Sequence, residues 1–256
     1  MGLVAGQDGA IDGYEPVEPR PGQASAPRSG TAMFRRRCPQ PSRRGVLHLQ
    51  TVGDAPVPPD LASWFTERGF HFYLAALGWP GRTAAARRRG GEALAAAFAE
   101  LDAKCEHLRT ADGIDNVIVI AHGAGALAAA LWCAEQRPGS RADALILYAP
   151  VFSRAVRRGL DIPCPVLVIG GPSVTGGPDS GVSTGGEGSR RRRPRLRRHR
   201  EPAATIELGG HVTWLRPADG EARPDGREAA DRSRFFDEMG RWLGAYMYGQ
   251  VRDQLL

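Results

Sequence analysis

The chain has 256 residues, room for one α/β domain with a well-buried core, and 42% of them are apolar. No run approaches the ~20 consecutive apolar residues of a membrane span, and the acids and glycines of Met1 to Arg20 form no apolar leader, so the cytoplasm is the expected location. The net charge of +6 is local, because the stretch Arg190–Arg200 alone holds eight arginines and the remainder is close to neutral.

Residues 1–30 are rich in Gly, Pro, Ser and acids and have no hydrophobic period, which predicts a flexible lead-in to a single domain over 31–248. A short strand is expected within Thr31–Arg37 and a second over Gly45–Gln50, followed by turn residues from Gly53 to Pro59. Leu61, Trp64 and Phe65 have helical spacing over Asp60–Arg68, and Gly69 stands where a helix ends on a C′ glycine. Phe70–Leu77 reads as a strand covered on both faces. Leu94, Ala97, Phe98, Leu101 and Cys105 share one face of a helix over Gly91–Arg109.

Val117–Ile120, Ala144–Ala149 and Pro165–Gly170 are further buried strands, with an Ala-rich helix running to about Gln136 between the first two. Ala204–Leu208 is expected to be the last strand, and Asp231–Tyr248 an amphipathic closing helix. Between them, 171–203 is Gly/Ser-rich and then Arg-rich, and is expected to be a disordered insertion. Strands alternating with helices predict βαβ units: an α/β fold with a mostly parallel sheet and helices on both faces. The four cysteines, Cys38, Cys105, Cys133 and Cys164, lack C-x-x-C spacing, which argues for reduced thiols rather than a zinc site or disulfide framework. No metal or other cofactor is expected.

The chemistry turns on Val117-Ile118-Val119-Ile120-Ala121-His122-Gly123-Ala124-Gly125. An apolar strand runs through a turn of small residues into a helix, the layout of the nucleophile elbow G-x-S-x-G, whose serine sits at the apex. Here the apex residue is Gly123, which has no side chain to attack with. A non-glycine residue at such a turn costs of order 1–3 kcal/mol of backbone strain, and glycine relieves it.

With this motif, Ser63–Tyr73, Ala142–Leu147, Gly159–Val168 and Phe235–Leu243 give a chain that resembles an α/β-hydrolase, in particular the actinobacterial proteins related to lysophospholipases and serine aminopeptidases. The resemblance spans roughly 31–248. It implies an elbow nucleophile, a histidine base, a carboxylate that orients it, and backbone N–H groups that hold the oxyanion. Carried onto this sequence, the nucleophile position is Gly123 and the base is His211, in Leu208-Gly209-Gly210-His211-Val212. The acid falls on Asp179 or Glu187, inside the Gly/Ser-rich stretch, and the oxyanion loop on Gln50-Thr51, where the family's His-Gly is missing. The cap that such proteins insert before the Pro165 strand is reduced to Pro150–Asp161, so the resemblance implies a shortened, capless member.

Other readings compete with these. His211 reads first as a loop histidine retained from an ancestor, and His122 as a packed or partly exposed side chain beside the elbow. Ser153, Ser183 and Cys105 are substitute nucleophiles with no base placed beside them. Gly123-Ala124-Gly125-Ala126-Leu127-Ala128 also fits G-x-G-x-x-A after a strand, but Asp143 precedes the next strand where a dinucleotide site needs an acid at its end. Arg190–Arg200 could contact phosphates of nucleic acid or another anionic surface, although it lacks interleaved aromatics for base stacking.

Three functions remain open from sequence: a family member without the serine mechanism, inert or kept to bind a small acyl ligand in a vestigial cleft; an esterase-like enzyme with an unplaced nucleophile and His211 as base; and a non-specific nucleic-acid or anion binder.

Overall fold

The computed structural model describes residues 11, 13–17, 33–51, 59–79, 90–135, 142–148, 150, 160–169, 208–209, 212–215 and 236–247. Its frame is an eight-stranded sheet of β1 (Glu15–Val17), β2 (Met33–Arg36), β4 (His71–Ala76), β3 (Arg44–Gln50), β5 (Asn116–His122), β6 (Ala144–Tyr148), β8 (Val166–Ile169) and β10 (Val212–Leu215), in that spatial order. Only β2 runs against its neighbours; from β4 to β10 every pairing is parallel. A separate parallel pair joins β7 (Leu160–Asp161) to β9 (Leu208–Gly209).

The period-2 alternation of the strands sorts side chains onto two faces. Val117, Val119, Leu145, Leu147, Val166 and Val168 pack under α2 (Gly90–Thr110) and α3 (Gly123–Ala134), which contribute Phe98, Leu101, Leu108 and Trp132. Ile118, Ile120, Ile146 and Leu167 face the other way, against α1 (Pro59–Thr66) and the helical residues 236–247, here α4, which contribute Trp64, Phe65, Met239 and Trp242. Helices therefore cover both faces, as the alternation of elements predicts. No described helix is long and apolar enough to cross a membrane.

Local chemistry closes each element. α1 opens on Pro59 with Asp60 in its first turn, both favourable at a helix N-terminus. It ends in a Schellman motif: Gly69 N–H donates to Thr66 O (3.2 Å) and Phe70 N–H to Phe65 O (3.1 Å). The Phe65 and Phe70 rings then meet edge to face at 5.9 Å, supplying the apolar contact that accompanies this motif. Gly69 adopts φ 78, as a C′ glycine should. α3 is rich in alanine because it is wedged between the sheet and α2. Its Trp132 Nε1 donates to Asp102 Oδ1 of α2 at 2.6 Å.

Two expectations need correction. Glu15–Val17, inside the stretch read as a flexible lead-in, forms an edge strand on β2, fixed by Glu15 accepting from Arg35 (3.0 Å) and Arg37 (3.3 Å). The last strand of the main sheet is Val212–Leu215 rather than Ala204–Leu208, of which only Leu208 is described, in β9. All of 171–203 and most of the lead-in lie outside the described residues.

Candidate functional site

β5 ends at His122, in extended conformation (φ −113, ψ 148), and α3 begins at once with Gly123 at φ 52. The chain thus turns from strand to helix through a left-handed residue, the strained geometry in which an elbow presents its apex side chain. At this apex there is only a hydrogen. Ala124 follows, at the position whose backbone N–H supplies one oxyanion donor in active elbows.

The elbow is walled by the ends of β3 and β6. Leu49 pairs with Ala121, so Gln50 and Thr51 come alongside the turn, and both are buried. Gln50 O accepts from Leu77 N–H at 2.9 Å, tying β3 to the end of β4. Thr51 approaches α3 so closely that a Cβ on Gly125 would lie 2.9 Å from its Cγ2. On the other side His122 pairs with Tyr148 across β5 and β6, the rings stacked at 5.2 Å and 29°. Tyr148 is 43% exposed, the one exposed large hydrophobic among the described residues.

Of the nucleophile, base and acid positions implied by the resemblance, Gly123 alone is described, at the apex; His211, Asp179 and Glu187 lie outside the described residues, as do Ser153, Ser183 and Arg190–Arg200. Cys105 is unsuited to nucleophilic work. It is fully buried on α2, and burial pushes its thiol up to about 12, so almost no thiolate exists near neutral pH. All four cysteines are free and buried. A hydrogen bond with the Cys164 thiol, and then burial, raise the Cys133 thiol well above its ordinary range.

Asp143 does not serve a dinucleotide site at the elbow. Its Oδ2 accepts from Val117 N–H (2.7 Å) and from Arg109 Nη2 (2.8 Å), at the amino end of β5, a strand's length from Gly123. Among the described residues no group of three or more His, Cys, Asp or Glu is placed to hold a metal ion. Sequence reasoning located the apex through its small residues but missed the Thr51–Gly125 approach and the His122–Tyr148 stack. Both are cross-strand contacts that only register creates.

Residues 58–170, from just before α1 to the end of β8, match the family model for serine aminopeptidase, S33. With the sheet order and the elbow, this match gives the chain the α/β-hydrolase fold. The matched segment includes Gly123 and stops before Asp179, Glu187 and His211.

Among solved structures, the chain is similar to Thermogutta terrifontis esterase 2 phosphorylated by paraoxon, at 14% identity and TM-score 0.53, covering 91% of this chain and 94% of that one. The butyrate-bound form of that thermophilic Planctomycetes esterase gives the same identity, coverage and score. At such identity the likeness is one of fold. No curated protein sequence matches the chain.

Proposed function

We propose that this chain of α/β-hydrolase fold lacks serine-hydrolase activity and keeps the elbow region, if for anything, as a cleft for a small acyl ligand. The observation that carries the reading is Gly123 at φ 52: an elbow conformation with no nucleophile on it. In a serine protease, loss of the nucleophile alone costs about 10⁶ in kcat. The short connection from Tyr148 to Val166 also supports the reading, since a cap that would shape an acyl pocket has little chain to be built from.

A fluorophosphonate that esterifies activated serines tests the proposal by intact mass. The native protein is expected to stay unmodified at neutral pH. A stoichiometric mass increase would mean an unplaced nucleophile and an active esterase-like enzyme.

A second reading rests on Arg190–Arg200, whose eight arginines are dense enough for non-specific phosphate contacts. Binding to a random duplex should then fall steeply with salt, with the slope lost when the arginines are replaced by glutamine. A salt-independent signal, or none, would remove this reading.

A further inference from the structure

The amino edge of the sheet, opposite the elbow, carries a groove of about 500 Å³ between the start of β3 and the end of α1. Its walls present three guanidinium groups, Arg43, Arg44 and Arg68, against one carboxylate, Glu67. Arg43 is engaged by Asp115, Nε to Oδ2 at 2.6 Å. Arg44 and Arg68 are exposed, and among the described residues neither has a carboxylate within ion-pair distance.

Both are instead supported by aromatic faces. Arg68 Cζ lies 3.9 Å from the Trp64 ring centroid, and Arg44 Cζ lies 5.9 Å from that of Phe70. Arg68 Nη1 also donates to Trp64 O at 3.0 Å, fixing the plane of the fork. A stacked guanidinium keeps its remaining in-plane N–H groups for acceptors.

The loop between the two walls is pinned. Ser42 Oγ donates to Gly69 O at 2.5 Å and accepts from Arg44 N–H at 3.1 Å. His71 holds the same loop from below, Nδ1 accepting from Cys38 N–H and Nε2 donating to Ser42 O, both at 3.2 Å. The separation of Arg44 and Arg68 is therefore set before any ligand arrives, which lowers the ordering cost of binding.

We infer that this groove is a binding site for a phosphate-class oxyanion, held between Arg44 and Arg68. A phosphoryl group offers three acceptor oxygens in different directions and can serve forks from two walls at once. The groove has room beyond the phosphoryl group, so the ligand class is a small organic phosphate monoester.

The test is titration of the full-length protein with phenyl phosphate at constant ionic strength, followed by amide ¹⁵N shifts. Saturable shifts at Ser42, Arg44 and Gly69 are expected. Arg44→Gln and Arg68→Gln should each weaken binding roughly tenfold, as the loss of one charge-assisted hydrogen bond does, and Arg68→Lys should fall between. Arg241→Gln, whose guanidinium pairs with Glu238 and lines no wall of the groove, and glutamine at Arg190–Arg193 should leave the affinity unchanged. Arg44 is exposed, so its variant stays interpretable even if Arg68→Gln unfolds. Unmoved amides, equal affinity in the Arg44 variant, loss of binding with the Arg190–Arg193 substitutions, or equal binding of acetate would each overturn the inference.

Discussion

Thr51 Cγ2 occupies the space that a side chain at Gly125 would need: a Cβ there would lie 2.9 Å away. This contact sets how closely the end of β3 approaches the first turn of α3. Gly125→Ala should cost about 1–3 kcal/mol through overpacking, although alanine favours a helix over glycine by up to about 1 kcal/mol. In a Thr51→Ala background the clash is gone and the same change should become neutral or stabilising. Urea denaturation of the four proteins of this cycle measures the coupling; additive effects would mean that the contact does not limit the site.

Gly69 presents the opposite case. A Cβ there would meet nothing within 4 Å, yet φ is 78. The cost of Gly69→Ala is therefore backbone strain alone, about 1–2 kcal/mol. Asn, which tolerates the left-handed region better, should recover part of it. Thermal unfolding of both variants checks the order; equal midpoints in Ala, Asn and native protein would show that the Schellman turn does not hold α1.

His71 makes stability depend on pH. Burial, opposed by its hydrogen bond to Ser42 O, lowers its pKa from 6.5; nearby Arg37 and Arg35 push the same way and Asp112 the other. The unfolded chain thus takes up this proton near pH 6.5 and the folded chain only below it, so protons favour unfolding. The contribution is complete above pH 6.5 and is lost as pH falls toward and through the folded value. His71→Gln, which can mimic both hydrogen bonds without titrating, should flatten the loss of thermal stability between pH 7 and pH 5. An unchanged pH slope in that variant would place the dependence elsewhere.

Strands whose apolar residues were continuous or strictly alternating were legible before any coordinates. Val117–Ile120 and Phe70–Leu77 could only be buried strands, and Gly69 marked the end of α1. β1 was not legible, because three residues inside a Gly/Pro-rich stretch are too few to show a period. At the other end, Thr205–Leu208 and Val212–Leu215 flank Gly209-Gly210 with similar apolar character. Only the pairing of Val212 with Val166 decides which of them extends the sheet. At the site, small residues around Gly123 revealed the apex, whereas Thr51 and Tyr148 reach it through register between distant strands.

Strain at Gly123 gives a prediction of its own. Gly123→Ala should lose about 1–2 kcal/mol, the penalty for a Cβ in the left-handed region, read as an earlier thermal midpoint of the whole domain. A stabilised Ala variant would mean that the turn relaxes out of the elbow conformation in solution.

The most direct measurement is hydrolysis of a short-chain p-nitrophenyl ester by the native protein, Gly123→Ser and His211→Ala. Without a nucleophile the native protein should not exceed the uncatalysed rate, and His211→Ala should not differ from it. Activity in Gly123→Ser alone would show that the missing hydroxyl was the only defect, while silence there too would mean that base, acid and oxyanion loop are also lost. Native turnover abolished by His211→Ala would contradict the account outright, because it would require a working nucleophile and a histidine base beside it.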